Sequence, residues 1–397
     1  MGNTGAAIAG PGFFREALAG AFDGACPLIA LEGVVTRDGG GRAYGVAIYG
    51  VDDRFWKFHG RSLAGPDAPD VFLGDPLARE IGASPGDAVV IRIEKPSAIP
   101  AESLHGRKEE LGRAIRLTAR RVLAAQDLGE FSLRPGQAAV RAAFVPLRRL
   151  QRDLEQPGRI NTILSASEDS GALARTLHAR FELSDLGIKL RPVENGAALS
   201  LESDSAMLND ALIDAARRAA AGAALSPVFT YLANTIRAGS REIPYSLVTA
   251  TAWPALQPNQ IALNEWAARD LGARAGDRIT LEYYLWSDDG RLITGSAAFD
   301  LASVVPIRGL AADRDFAPDY PGLTDAGKLH DWDPPFPLDL QRIRPADEDY
   351  WKRYRTTPKA FISVERAQQL WQSRFGKLTS LRVRPASAEF PRRLSNA

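Results

Sequence analysis

The sequence predicts an α+β protein built from two copies of one mixed unit. Three observations support this: a 21-residue segment occurs twice, flanking markers recur in the same order, and short strand patterns are mingled with short helix patterns. This mixture lacks the long parallel β-α-β regularity of a dinucleotide-binding fold.

The repeat is the strongest of the three observations. Residues 71–91 (VFLGDPLAREIGASPGDAVVI) and 261–281 (IALNEWAARDLGARAGDRITL) are identical at seven of 21 positions, without a gap. Pro27 and Pro227 recur upstream, and the Ala-Phe pairs that end in Phe144 and Phe361 recur downstream. Because ordered markers at nearly constant spacing rarely arise by chance, they indicate an internal duplication.

Each copy of the repeat predicts a helix, a turn and a strand. Residues 75–81 and 265–271 have helical spacing with an acidic residue in the first turn. Gly82 and Gly272 follow as C-caps, where glycine most easily adopts the left-handed conformation. A Gly-Asp pair then leads into an alternating strand in both copies.

The remaining patterns place further strands and helices in matching order. Strands are predicted at 115–123, 143–145, 159–164, 188–190, 198–201, 298–305, 360–362 and 378–383, and helices at 147–154 and 364–371. We therefore place the first unit at 10–167, a bridging segment at 168–204, the second unit at 205–386 and a frayed tail at 387–397.

The second unit carries an insertion. From the Gly-Asp turn to the Ala-Phe marker there are 57 positions in the first unit and 84 in the second, which leaves 27 extra residues. They lie within 310–358, a stretch rich in Asp, Pro, Trp and Tyr. Long loops on a regular scaffold often carry specific contacts, so this segment is the predicted contact region.

Composition excludes several classes of function. The 397 residues include 49 basic and 48 acidic side chains, a net charge of +1, which argues against a nucleic-acid binder. One cysteine, Cys26, rules out an intramolecular disulfide and reads as a core residue. The charge-poor stretches 219–236 and 243–264 contain Pro and Asn, and residues 1–4 lack a basic signal region, so we expect a soluble chain.

No catalytic, cofactor or metal residue is predicted. Residues 82–86 match G-x-S-x-G, but this turn leads from a helix to a strand, Pro85 has no N–H for an oxyanion, and Arg274 replaces Ser84 in the other copy. A phosphate-binding P-loop is absent. The four histidines, at 59, 105, 178 and 330, lack zinc-ligand spacing.

The acidic residues of the insertion leave two hypotheses open. Aspartates cap and turn loops, so a self-packed structural loop is favoured, but oxygen-rich loops also bind calcium. Either form would leave Trp and Tyr side chains available for a partner. The acidic positions are Asp313, Asp315, Asp319, Asp331, Asp333, Asp347, Glu348 and Asp349.

The sequence resembles the extracytoplasmic region of FtsX/MacB-like ABC-transporter permeases. The resemblance is carried by residues 45–56 (GVAIYGVDDRFW), the two repeat segments 71–93 and 261–284, residues 143–164 (AFVPLRRLQRDLEQPGRINTIL) and residues 299–307 (FDLASVVPI). The segments of the insertion resemble a subgroup of long permeases of this kind.

The resemblance implies a non-catalytic periplasmic part of a membrane-attached permease. Its partners would be a separate ABC ATPase, reached through the membrane part of the parent protein, and a periplasmic protein, lipoprotein or hydrophobic cargo; a homodimer is also implied. The alternative is a cytoplasmic substrate-recognition module with tandem double-psi-like barrels, because a helix, a G-x-x-x-G-D turn and a strand also occur there.

Overall fold

The described residues divide into two units, one after the other along the chain. The computed structural model describes residues 2–94, 112–134, 136, 139–287, 291–318, 323–324, 326–332 and 336–397. Among them, the first unit ends at Gly187 and the second begins at Ile188. The stretch 168–204, predicted as a bridge, thus contributes a helix to the first unit and two strands to the second.

The first unit is a closed six-stranded barrel with two added strands. Its elements are β1 (Ala6–Arg15), β2 (Cys26–Arg37), β3 (Arg42–Val51), α1 (Asp53–Phe58), β4 (Asp70–Gly74), α2 (Asp75–Ile81), β5 (Ala88–Ile93), β6 (Arg113–Leu123), β7 (Ala142–Pro146), α3 (Leu147–Asp153), β8 (Arg159–Ser165) and α4 (Ser170–Arg180). The barrel runs β2-β3-β7-β4-β6-β5 and closes on β2, from which β8 and then β1 extend the sheet.

The second unit repeats this architecture. Its elements are β9 (Ile188–Val193), β10 (Ala198–Ser203), α5 (Asp210–Ala220), β11 (Ala224–Ala238), β12 (Arg241–Ala250), β13 (Gln260–Asn264), α6 (Glu265–Leu271), β14 (Arg278–Trp286), β15 (Leu292–Val305), α7 (Pro345–Tyr354), β16 (Ala360–Ile362), α8 (Val364–Trp371), β17 (Ser380–Arg384) and α9 (Phe390–Ser395). The barrel runs β11-β12-β16-β13-β15-β14 and closes on β11, from which β17, β10 and β9 extend.

Strand directions and irregularities also match between the units. The pairs β3–β7 and β12–β16 are parallel, as are β4–β6 and β13–β15, and the latter two share a register shift directly after Val71 and Ile261. Pro27 and Pro227 occupy equivalent places opposite β8 and β17. The prediction of two similar α+β units is therefore confirmed.

The glycine turns explain why both copies fold alike. Helices α2 and α6 have the predicted bounds, and Gly82 and Gly272 end them with φ of 64° in each case. After the turn, the Gly86 N–H donates to Ala119 O at 2.7 Å and the Gly276 N–H donates to Leu301 O at 2.8 Å. Since a residue with a side chain is strained at this φ, glycine fixes the path from helix to strand.

Apolar side chains of the barrel strands and helices form the cores. In the first unit one cluster centres on residues such as Ile48, Leu73 and Leu150, and a second, aromatic cluster contains Trp56 and Phe144. Helix α1 contributes Phe55 and Trp56 to the aromatic cluster. The Asp52 side chain caps the N-terminus of this helix by accepting a hydrogen bond from the Arg54 N–H.

The structure also gives the conformation of the C-terminal tail and of the two charge-poor stretches. The tail predicted to fray instead forms α9, because Phe390 and Leu394 are buried and Arg393 Nε donates to Ala219 O at 2.9 Å. The charge-poor stretches lie mainly in β11, β12 and β13. Among the described residues, every helix falls short of the length and apolarity needed to cross a membrane.

Candidate functional site

The turn that matches G-x-S-x-G is built as structure. Ser84 contributes its N–H, which donates to Asp87 Oδ2 at 2.9 Å, and the Arg274 N–H donates to Asp277 Oδ2 at 2.7 Å in the other copy. The turn joins α2 to β5, the reverse of a nucleophile elbow. Aspartate therefore closes the same turn whether serine or arginine precedes it.

Cys26 and the described histidines have separate environments. Cys26 is buried, and burial raises the pKa of its thiol to about 12. His59 is enclosed by Phe55, Phe58 and Phe131, and burial lowers its pKa to about 4. In the described part of the chain, no group of three or more His, Cys, Asp or Glu side chains is placed to hold a metal ion.

The remaining histidines lie apart from one another. His178 is exposed on α4, and His330 Nδ1 forms a hydrogen bond with Glu348 Oε1 inside the insertion. His105 lies outside the described residues.

The insertion packs onto the outside of the second barrel. Tyr245 and Leu247 project from β12 into a buried apolar cluster with Leu329, Trp332 and Trp351 of the insertion. The Tyr245 hydroxyl also accepts a hydrogen bond from the Asp339 N–H at 2.7 Å. Tyr245 thus anchors the insertion to β12 through its apolar ring and through its polar hydroxyl group.

A second part of the insertion covers Phe361 of the second barrel. Ala311 and Phe316 are buried against Val228, Ala262 and Phe361. In the first unit, aromatic side chains of α1 serve this purpose against Phe144, which corresponds to Phe361. The insertion therefore covers a position that α1 covers in the first unit.

A buried charge cluster lies beneath α7. Lys359 is buried, its Nζ lies 3.6 Å from Asp347 Oδ1, and it sits over the rings of Trp266 and Tyr350 at 4.8 and 4.9 Å from their centroids. Arg344 donates to the second oxygen of Asp347 from Nε at 2.8 Å. Burial lowers the pKa of Lys359 to about 8, although Asp347 opposes that shift.

The carboxyl group of this cluster stays ionised. Burial alone would raise the pKa of Asp347, but the hydrogen bond from Arg344 and the charge of Lys359 lower it below its ordinary value. A buried ion pair of this kind is retained when each group has further partners. The adjoining cavity, lined by Tyr245, Lys359 and Trp351 among others, has about 20 Å³, room for about one water.

The acidic residues of the insertion mostly pair with arginines or histidine. Asp313 contacts the buried Arg382 at 2.7 Å, Asp315 contacts Arg191, and Glu348 contacts His330. Asp331 and Asp349 are exposed, while Asp319 and Asp333 lie outside the described residues. These pairings support the self-packed loop among the two hypotheses for the insertion.

Sequence reasoning missed Lys359 and Arg382. Lys359 corresponds to Ala142 of the first barrel, since β7 and β16 pair with β3 and β12 in the same register. Arg382 corresponds to Leu164 by its place opposite β11. An alignment of the two halves would have placed each of these cations at the position of an apolar residue of the first unit. That exchange is the signal by which both positions could have been found.

The chain is similar to extracytoplasmic regions of ABC transporters. The periplasmic region of MacB from Actinobacillus actinomycetemcomitans aligns at 12% identity over 43% of this chain and 73% of that chain, with a TM-score of 0.27. The extracellular domain of the noncanonic ABC-type transporter YknZ from Gram-positive bacteria aligns at 11% identity over 43% and 88%, with a TM-score of 0.26. No family model and no curated protein matches the sequence.

Proposed function

We propose that this chain is the extracytoplasmic part of an FtsX/MacB-like ABC-transporter permease. The observation that carries the proposal is the tandem of two barrels with one topology, since the segments that resemble such permeases are the ones that build each barrel. The part is non-catalytic, binds a periplasmic partner or hydrophobic cargo, and couples that binding mechanically to a separate ATPase.

The insertion is the proposed contact region for the partner. It is the main difference between two otherwise matching barrels, and it is fixed to the second barrel by Tyr245 and by the Lys359–Asp347 pair. A rigidly anchored loop can present side chains without a large loss of conformational entropy on binding.

Cell fractionation of the source organism tests the proposal. An antibody against this chain should detect a membrane-bound polypeptide larger than 42.9 kDa, protected from protease in intact cells and cleaved once the outer envelope is opened. An ABC ATPase should co-purify with it from detergent extracts. A soluble band in the cytoplasm would contradict the assignment.

The same fractionation addresses the second hypothesis. Closed six-stranded barrels with two parallel pairs also suit a cytoplasmic substrate-recognition module. That function requires a cytoplasmic band that co-purifies with an AAA-type ATPase. The two hypotheses therefore differ in compartment as well as in partner.

A further inference from the structure

Helix α4 is attached to the first unit by little apolar burial. The structure describes all of α4, and none of its side chains is buried. Leu173 and Leu177 are half-buried against the core of the first unit. In the second unit the helix at the same place in the order is α9, where Phe390 and Leu394 are buried. Apolar burial therefore contributes less to the attachment of α4 than to that of α9.

The space beside α4 is incompletely filled. A short 3-10 helix, Glu16–Ala21, lies between β1 and β2, at the place in the order that α5 has in the second unit. There α5 and α9 contact each other, and Arg393 Nε of α9 donates to Ala219 O of α5 at 2.9 Å. In the first unit a solvent-open cavity of about 400 Å³ lies here instead, lined by Arg15, Ala17, Leu18, Gly20, Ala21 and Arg180. Because empty space removes packing contacts from the residues around it, the C-terminal end of α4 is weakly packed.

Arg15 makes the polar contacts that hold the segment after α4. Its N–H donates to Asp185 Oδ1 at 3.0 Å, and its guanidinium donates from Nη2 to Asp185 Oδ2 at 2.6 Å. The same guanidinium pairs with Glu182 and donates to Arg180 O at 3.4 Å. The Asp185 side chain is only 3% exposed, so water competes little for this carboxylate. One residue at the end of β1 therefore fixes both the end of α4 and the turn that follows it.

We propose that residues 170–187 are a releasable strap, which detaches from the first unit as one piece while the barrel stays folded, and which Arg15 holds in place. The chain enters the second unit at Ile188, directly after this strap. Detachment turns the docked strap into a free tether that can span up to about 60 Å, so it changes the length of the link between the units. The inference does not depend on the proposed transport role.

Hydrogen exchange of the wild-type full chain tests whether the strap opens separately. Segments with few buried apolar contacts open at a lower free energy than the core of a unit, so the amides of residues 174–181 should be at least about 100-fold less protected than those of the buried parts of β2 and β3. Equal protection in the strap and in these strands would overturn the proposal, because the strap would then open only when the whole unit unfolds.

Arg15→Gln tests what holds the strap. The variant loses the guanidinium but keeps a polar side chain, so exchange at residues 174–187 should accelerate about 10-fold by one common factor, with β2 and β3 unchanged. Trypsin should also cleave faster after Arg175 and Arg180. Arg79→Gln, which breaks the exposed pair with Asp75 on α2, is the matched control and should leave exchange in the strap unaltered. Acceleration confined to residues 182–187, or equal acceleration in the barrel strands, would contradict release as one piece.

Ala17→Leu tests the strap in the opposite direction. Ala17 is exposed and lines the cavity, so a larger apolar side chain there should fill part of the space and pack against α4. Exchange at residues 174–181 should slow about 2- to 5-fold. Ala114→Leu, at an exposed position of β6, is the control and should not change it. Unchanged or faster exchange in Ala17→Leu would show that the cavity has no part in the release and would count against the proposal.

Discussion

Gly45 and Tyr245 occupy the same position in their barrels, and both have positive φ, 62° and 40° respectively. The equivalence follows from the pairings of β3 and β12 with β2 and β11. Glycine adopts this conformation without strain, but tyrosine does not. The second barrel therefore keeps an unfavourable backbone conformation at the residue whose side chain anchors the insertion.

Replacing Gly45 with alanine should destabilise the first unit by about 1 kcal/mol, because a Cβ at positive φ is strained. A steric clash does not contribute to this loss of stability, since the nearest atom to such a Cβ would be Glu32 Oε1 at 3.8 Å. Urea unfolding measures the change. Gly20→Ala, where a Cβ would meet no atom and φ is not positive, is the control and should be neutral or slightly stabilising.

Tyr245→Phe should loosen the insertion without unfolding the barrel. The variant keeps the apolar ring but leaves the Asp339 N–H without its acceptor, which is worth about 1 kcal/mol. Hydrogen exchange should accelerate around residues 338–343 and stay unchanged in β11. Equal acceleration in both places would mean that the hydroxyl supports the whole unit.

Asp347→Ala should be among the more damaging changes in the second unit. It leaves Lys359 and Arg344 without their shared carboxylate, and removing one partner from a buried pair costs about 3–5 kcal/mol. The free energy of unfolding in urea gives the value. Asp214→Ala, which breaks the exposed pair with Arg217, should cost less than about 1 kcal/mol.

Lys359 should make stability rise in alkaline solution. Its pKa is about 8 in the folded chain against an ordinary 10.5, so between these values the unfolded state binds more protons. Stability contributed by this group therefore increases from pH 8 to pH 10.5. Unfolding midpoints of the wild type and Lys359→Met, compared at pH 7.5 and 10, should show the wild type gaining relative to the variant; a constant difference would refute the assignment.

His59 should affect the pH dependence of stability in the same direction as Lys359, but in the acidic range. Burial holds its pKa at about 4, below the ordinary 6.5, so the unfolded state binds more protons between these values. Stability should fall as the pH is lowered from 6.5 to 4. Protonation would also remove the acceptor for the Asn3 N–H, which lies 3.0 Å from Nδ1. His59→Gln should flatten this part of the pH profile in thermal melts.

The sequence predicted the regular parts of the fold because they are locally encoded. The bounds of α2, α6, α8 and β16 agree with the patterns of apolar spacing and caps. Closure of each barrel was not predicted, because the β2–β5 and β11–β14 pairings join residues far apart in sequence. Spacing alone does not specify such partners.

The contents of the insertion were only partly predictable. Its position and its self-packed character follow from composition, but the burial of Lys359 does not, since lysine is normally exposed. The cation is buried because Trp266 of α6 and the α7 residues Asp347 and Tyr350 meet Lys359 only in the folded unit. Similarly, α9 was missed because its apolar residues, Phe390 and Leu394, give too short a pattern.

The insertion and the barrel residues that it contacts are complementary to each other. Where the second barrel offers Tyr245, Leu247 and Lys359, the first has Gly45, Ala47 and Ala142. A graft of residues 310–358 onto the first barrel would therefore find neither its aromatic anchor nor its countercharge. Descent of both barrels from one ancestral barrel therefore requires substitutions at these three positions as well as the gain of the insertion.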